Sequence, residues 1–271
     1  MPPSDERQGE LDELVHAFYV RTLSLLVDAD IPLLAGGAYA LKHYTGIARD
    51  TKDFDVFVRR EHYGDVEKVL GAAGIATELT FPHWLGKASC EHGCVDVIFS
   101  SGNGLAQVDD AWFDNAVDGT VFGVPVRLCP PEEMIWSKAF ITERERYDGA
   151  DIMHLLLACA ERLDWRRLLA RFDSHWRVLF SYLGLFGFVY PSERTRIPEW
   201  VMQELIERLT RELYAQAPPR RVCQGTLLSR EQYLTDVSMW GFEDARVTVA
   251  GSMTVEEVAH WTRAISSKAI Q

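Results

Sequence analysis

The chain has 271 residues, of which 47% are hydrophobic and 25% are charged, and its formal net charge at pH 7 is −12. This composition is typical of globular proteins and argues against disordered and fibrous classes, and no apolar run approaches the roughly 18 residues of a membrane span. The first 130 residues carry 10 Lys and Arg against 20 Asp and Glu, so this half is unsuited to a long nucleic-acid track, whereas the remainder carries 18 against 20.

Apolar spacing and turn residues predict a mixed α/β unit followed by a mainly helical one. In chain order we expect a helix at 10–29, a strand at 31–37, a helix at 38–46, a strand at 53–58, a helix at 60–74, a strand at 75–81, a hairpin at 84–100, a helix near 109–116 and short strands at 119–128. Pro130 and Pro131 mark the predicted boundary, and the tail from about residue 217 is ambiguous. The predicted fold class is therefore α/β, a mixed sheet with flanking helices and then a helical C-terminal domain.

Two aspartates lie on the predicted strand at 53–58. Side chains at positions i and i+2 of a strand lie on one face, so Asp53 and Asp55 point to the same side and Phe54 points to the core. Like charges this close call for a cation, and hard carboxylate oxygens are the ligands that magnesium prefers. Asp96 lies in the predicted hairpin and adds a third carboxylate, which makes a two-metal site feasible.

A glycine pair precedes these carboxylates. The stretch LLAGGAYAL at 33–41 places Gly36 and Gly37 between an apolar strand and a helix, where backbone N–H groups can hold phosphate oxygens. A glycine pair alone often marks a simple turn, and an Asp-x-Asp pair alone starts many strands. The combined order is a much more specific signal of phosphate and metal binding than either feature alone. It consists of a strand, Gly-Gly, a helix, an acidic strand and a second acidic strand.

The segment GGAYALKHYTGIARDTKDFDVFV at 36–58 resembles the signature of the DNA polymerase β-type nucleotidyltransferase superfamily, a strand, Gly-Gly or Gly-Ser, a helix and an acidic pair. It is most similar to the small-substrate antibiotic-modifying branch and the toxin-related branch. The segment SKAFITERERYDGADIMHLL at 137–156 is similar to a helical region of abortive-infection toxins. The resemblance covers 31–155, and Gly37 stands where many members have Ser.

The resemblance implies transfer of NMP from an NTP such as ATP to an acceptor hydroxyl, with release of pyrophosphate. It implies that Asp53 and Asp55 bind two magnesium ions, with manganese as the alternative metal. It further implies that Asp96 completes the catalytic metal site and helps to deprotonate the acceptor. The implied phosphate contacts are Gly36, Gly37, Arg49, Lys52 and Lys138.

Other interpretations of these residues stay open. Arg49 and Lys52 alternatively balance local negative charge, and Lys138 is alternatively a surface lysine. Asp148 and Asp151 open a predicted helix and are either N-caps or part of a nucleotide or acceptor site. The CEHGC stretch at 90–94 offers at most two Cys and one His, which favours a hairpin turn over a zinc site.

The acceptor is the least constrained feature. An RNA acceptor requires a basic surface, but the arginines of residues 131–271 alternate with acidic residues, a pattern typical of a salt-bridged helix face. We therefore expect a small-molecule or protein hydroxyl, with tRNA as the alternative acceptor and a catalytically silent nucleotide-binding module as the alternative function. Five scattered cysteines and a polar N-terminus predict a cytoplasmic protein without a membrane partner. The oligomeric state stays open.

Overall fold

The computed structural model of the protein describes residues 5–49, 51, 53–91, 93–249 and 251–268. The chain divides into two compact units, one formed by 1–102 with 107–130 and the other by 103–106 with 131–271. The predicted fold class is confirmed, because a mixed sheet with flanking helices is followed by a mainly helical region. The sequence further predicts that residues 1–130 form the catalytic nucleotidyltransferase domain and that the helical residues 131–271 close over the nucleotide and the acceptor, and these two roles stay predictions. None of the helices in the described residues has both the length and the apolar character needed to cross a membrane.

A seven-stranded mixed sheet forms the centre of the first unit. Its strands are β1 Leu33–Ala35, β2 Asp53–Val58, β3 Ala76–Phe81, β4 Leu85–Ser89, β5 Cys94–Ile98, β6 Val117–Val121 and β7 Val124–Leu128. Their order across the sheet is β3-β4-β5-β2-β1-β7-β6. β2 is antiparallel to β1 and parallel to β5, and β5 forms an antiparallel hairpin with β4. This order places the two strands that carry the predicted site side by side.

Helices of the first unit lie on both faces of this sheet, because Tyr39 packs on Phe54 of one face and Trp112 stacks on Phe57 of the other. These helices are α1 Asp5–Asp28, α2 Gly37–Thr45, α3 Tyr63–Ala72 and α4 Asp110–Asp114. Phe54, Val56 and Val58 of β2 are fully buried, and Tyr19 of α1 lies 5.9 Å from Phe54 between ring centroids. The alternation of these residues with aspartates explains why β2 has one core face and one polar face.

The second unit is built from helices and one short strand pair. Its helices are α5 Pro131–Lys138, α6 Gly149–Cys159, α7 Trp165–Phe172, α8 Trp176–Val189, α9 Glu199–Leu213, α10 Leu234–Ser238 and α11 Val255–Lys268. In the tail that was ambiguous from sequence, β8 Val222–Cys223 pairs in parallel with β9 Glu243–Asp244. One face of α8 packs into the core of this unit, where Tyr182 and Phe186 are buried, whereas Phe188 near its end is exposed.

Two glutamates of α5 are buried against arginines of α7. Glu132 pairs with Arg167, and Arg171 Nε lies 3.2 Å from Glu133 Oε1. Burial raises the pKa of Glu133 above its usual value even though Arg167 and Arg171 act to lower it. The alternating charges of this region therefore pair within the unit, as the sequence pattern predicts.

Candidate active site

The sheet brings three aspartates to one face. In the parallel pair of β2 and β5, Asp55 is the register partner of Asp96, and Asp53 is the partner of Cys94. Register partners on neighbouring strands share a face and are about 4.8 Å apart. The three aspartates are partly exposed, whereas Phe54 points to the core. The structure therefore gathers Asp53, Asp55 and Asp96 as the strand pattern implies, and their catalytic roles stay predictions.

The glycine turn contacts this acidic face. The backbone N–H of Gly36 donates to the carbonyl oxygen of Asp55 at 3.0 Å. Gly37 has a φ of +53°, and a Cβ atom there would lie 1.8 Å from Asp55 Oδ2. A Cβ at Gly36 would lie 2.3 Å from the Phe57 ring. A Ser at position 37, as in many members of the resembled superfamily, would displace the Asp55 carboxylate, so this chain needs glycine.

The same turn forms the beginning of α2. Gly36 is the N-cap residue and contributes no side-chain hydrogen bond to the helix. The first N–H groups of a helix have no intrahelical partner and form the positive end of the helix dipole. Gly36 and Gly37 thus present a helix end that suits phosphate oxygens directly beside the Asp55 carboxylate.

Thr51 and Tyr39 also contact or influence the acidic pair. Thr51 Oγ1 donates a hydrogen bond to Asp53 Oδ1 at 2.7 Å, which fixes the orientation of that carboxylate. Burial raises the pKa of Tyr39, and the charges of Asp53 and Asp55 raise it further. The phenol therefore keeps its proton at neutral pH. Neither residue stands out in the sequence, because a threonine and a tyrosine near a strand are common.

Lys87 is the principal site residue that the sequence pattern did not reveal. It is the register partner of Asp96 across β4 and β5, and its Nζ lies 2.6 Å from Asp96 Oδ1. Burial alone would lower the pKa of Lys87, but Asp96 raises it above its usual value, so the group stays an ammonium. The Cys94 thiol also donates to Asp96 Oδ1, at 3.6 Å, and burial raises its pKa to about 11.

The hairpin register explains why Lys87 was missed. Cys90 N–H donates to the Gly93 carbonyl, which makes a four-residue loop and pairs Ser89 with Cys94. The sequence places the turn at residues 91–93, between WLGKASC and CVDVIFS. That three-residue turn would pair Cys90 with Cys94 and turn Lys87 to the other face, because a shift of one residue reverses every side chain. Cys90 and Cys94 are free thiols, and His92 of the zinc alternative lies outside the described residues.

The predicted cationic phosphate contacts have different environments. Arg49 is exposed and lies between α2 and β2, and Lys52 lies outside the described residues. Lys138, in the second unit, is only 14% exposed, and its Nζ lies 2.8 Å from Asp148 and 2.9 Å from Asp151. The alternative that Lys138 is a surface lysine is therefore wrong, and its contact with phosphate stays a prediction.

Asp148 occupies the N-cap position of α6 without acting as a cap. Its side chain makes no cap hydrogen bond. Instead, its oxygens accept hydrogen bonds from Lys138 at 2.8 Å and from Arg146 at 3.0 Å. Burial alone would raise the pKa of Asp148, but Lys138 and Arg146 lower it below its usual value. The capping interpretation of Asp148 is wrong, because two cations hold its carboxylate.

The chemistry of the acidic pair fits a divalent cation. Asp53 and Asp55 offer the hard oxygen ligands that Mg²⁺ and Mn²⁺ prefer, beside a glycine cradle that a Cβ atom would fill. In the part of the chain that the structure describes, no group of three or more His, Cys, Asp and Glu is arranged to hold a metal ion. Asp96 Oδ1 accepts a hydrogen bond from the Lys87 ammonium, so a cationic side chain already lies at this carboxylate. The two-ion site therefore stays a prediction.

No protein-family model matches the chain, and a search of curated proteins gave no match. The antibiotic-resistance factor ANT(2'')-Ia is similar at 20% identity, with a TM-score of 0.43 over 63% of this chain and 97% of that one. The lincosamide antibiotic adenylyltransferase LnuA is similar at 16% identity, with a TM-score of 0.37 over 52% of this chain and 94% of that one. A nucleotidyltransferase-like protein from Paracoccidioides brasiliensis is similar at 16% identity, with a TM-score of 0.34 over 64% and 92%.

Proposed function

We propose that the protein is a magnesium-dependent nucleotidyltransferase that moves NMP from an NTP to a hydroxyl of a small-molecule or protein acceptor. The observation that carries this proposal is the contact between the Gly36–Gly37 turn and Asp55. It brings a helix end suited to phosphate against a carboxylate suited to a divalent cation. A triphosphate with its magnesium requires both features at the same place.

Each residue of this face has a separate role in the proposed transfer reaction. Asp53 and Asp55 hold the cation, which when bound neutralises phosphate charge. The Gly36–Gly37 end of α2 orients the triphosphate. The acceptor oxygen forms a bond to the α-phosphorus, the bond to the bridging oxygen breaks, and pyrophosphate leaves. Asp96 takes the hydroxyl proton, and most of the rate enhancement comes from positioning and charge neutralisation.

Charge favours an acceptor that is not a nucleic acid. Binding of RNA depends on cationic side chains that neutralise phosphates. The arginines of the second unit include several that pair with carboxylates of the same unit, namely Arg146 with Asp148, Arg167 with Glu132, Arg171 with Glu133 and Arg230 with Glu143. The first 130 residues are strongly acidic. A small molecule or a protein hydroxyl is therefore favoured over tRNA.

Labelled transfer from each NTP tests this function. Purified protein is incubated with magnesium, α-³²P-labelled ATP, GTP, CTP or UTP, and size-fractionated cell extract, and pyrophosphate release is followed in parallel. We expect label in a small-molecule or protein fraction, and no label with Asp55→Asn. Salt-sensitive labelling of tRNA would show that the acceptor is RNA instead of a small molecule or a protein. Binding of NTP without pyrophosphate release from any fraction would indicate a silent nucleotide-binding module.

A further inference from the structure

The Asp96 carboxylate already has a cationic partner within the protein. Lys87 Nζ lies 2.6 Å from Asp96 Oδ1, and the Cys94 thiol donates to the same oxygen. Asp96 is 13% exposed and Lys87 is 36% exposed, so the ion pair is largely shielded from water on the Asp96 side. Shielded pairs are screened by salt much less than exposed ones.

We propose that Lys87 supplies the positive charge at Asp96, so that the site holds one divalent cation, at Asp53 and Asp55, and no second cation at Asp96. This inference rests on the proposed function. In it, Asp53 and Asp55 hold the divalent cation, and Asp96 is paired with Lys87. Lys87 is a positioning residue, because it acts through Asp96.

Geometry and charge both support this division. Asp55 and Asp96 are register partners, so a second divalent ion bridging them would lie close to the Lys87 ammonium, which would repel it. The strand register also fixes Lys87 opposite Asp96, so the lysine is placed there by the hairpin itself. Asp96 Oδ2 is left to accept the proton of the acceptor hydroxyl directly while Oδ1 stays bonded to Lys87.

A cross-strand salt bridge that merely stabilises the hairpin makes a different prediction. Such a pair contributes to the stability of the sheet but has no effect on the number of bound cations. The number of ions per chain therefore separates a positioning role of Lys87 from a structural one. The exposed Lys68, which pairs with Asp65 on α3 of the same unit, provides a matched control.

The test counts Mn²⁺ bound to the full chain in the absence of nucleotide, from the electron paramagnetic resonance signal of free Mn²⁺. We expect one ion in the wild type and its loss in Asp53→Asn. Lys87→Met should gain a second ion, bound at least about tenfold more tightly than any second ion of the wild type. The Lys87→Met and Asp96→Asn double variant should lose that ion again. Lys87→Arg and Lys68→Met should each bind one ion.

Two equivalent ions in the wild type, or one ion in folded Lys87→Met, would overturn the inference and leave the proposed transfer reaction intact. A wild type that binds no Mn²⁺ without nucleotide would overturn the inference, and pyrophosphate release with and without magnesium would then decide the magnesium dependence of the proposed function separately. Circular dichroism checks the fold of each variant. If Lys87→Met does not fold, Lys87→Gln removes the charge while keeping a hydrogen-bond donor for Asp96, and the same expected ion counts apply.

Discussion

Charged side chains cluster in both units of the molecule, but the two clusters are built differently. In the second unit, Lys138 lies between Asp148 and Asp151, and the three side chains are between 10% and 14% exposed. Arg146 adds a second positive charge to Asp148. The buried lysine thus meets two buried carboxylates, one of which also pairs with the exposed Arg146, and this pairing matters because an unpaired buried charge is strongly destabilising.

On the sheet face of the first unit, the paired strands present three carboxylates and one lysine, and the face is partly exposed. Among the residues that the structure describes on these strands, Asp53, Asp55 and Asp96 share this face with Lys87, and a glycine turn lies against Asp55. The difference teaches that the ratio of negative to positive side chains distinguishes a cluster that stabilises the fold from one that suits a cationic ligand. Replacing single members of each cluster should therefore change stability in one unit and transfer in the other.

The largest expected effect is on transfer. Asp55→Asn should lower kcat by about 10³-fold or more while the melting temperature stays close to that of the wild type, because it removes a cation ligand and relieves repulsion between like charges. Steady-state pyrophosphate release and thermal melts measure the two quantities. Asp65→Asn, an exposed carboxylate on α3, is the control and should be silent. Near-wild-type turnover of Asp55→Asn would refute the role of this face.

The cluster of Lys138, Asp148 and Asp151, called the Lys138 cluster below, should respond in the opposite way, with a loss of stability. Lys138→Met leaves Asp148 and Asp151 without their shared lysine, so we expect the free energy of unfolding to fall by about 3 kcal/mol. Urea unfolding measures this loss. Arg208→Met, which removes a helix-surface pair with Glu204, should change it by less than about 1 kcal/mol. Similar small losses in both variants would contradict the structural interpretation of the Lys138 cluster.

A third substitution separates chemistry from binding on the acidic face. Asp96→Asn should lower kcat by about 10²-fold, because the hydroxyl proton loses its acceptor. The dissociation constant of the NTP should change by less than about threefold, because Asp53, Asp55 and the glycine turn remain. Single-turnover kinetics and calorimetric titration measure these quantities. Equal losses in both would place Asp96 in nucleotide binding instead.

Local pattern was sufficient to predict the framework of this site. The alternation of aspartates with Phe54 and Val56 gave the observed limits of β2, and the glycine pair predicted the beginning of α2. Lys87 depends on the hairpin register, which a loop longer by one residue reverses. The Lys138 cluster depends on packing between α5 and the residues that begin α6. Sequence spacing of 10 and 13 residues across a loop does not encode such a contact.

The glycine turn provides a finer test of the comparison. Gly37→Ala places a methyl group at the Asp55 carboxylate and a side chain at a φ of +53°, so we expect about a tenfold loss of kcat/KM and about 1 kcal/mol of stability. Gly64→Ala on α3 is the matched control, because a Cβ atom there meets nothing within 4 Å. An unchanged kcat/KM in Gly37→Ala would show that the position of Asp55 is not critical.

The smallest expected effect is a pH dependence of the stability that Asp148 contributes within the Lys138 cluster. Lys138 and Arg146 overcome the effect of burial and lower the pKa of Asp148. A carboxyl whose folded-state pKa is lowered stabilises the fold above its unfolded pKa of about 3.9, and this stabilisation is lost as the pH falls through the folded value. Asp148→Asn should therefore be less stable than the wild type by about 1 kcal/mol at neutral pH, and the difference should shrink below about pH 4.

Urea unfolding of the wild type and Asp148→Asn at a series of pH values from neutral to acidic measures this difference. Glu256→Gln on α11 replaces an exposed carboxylate of the same unit, and its difference from the wild type should stay small and flat across the series. A difference for Asp148→Asn that grows on acidification would mean that burial outweighs Lys138 and Arg146. Asp148 would then be a destabilising carboxylate at neutral pH, as the raised pKa of Glu133 indicates for that residue. The direction in which the stability difference changes with pH thus decides whether the pKa of Asp148 is set by Lys138 and Arg146 or by burial.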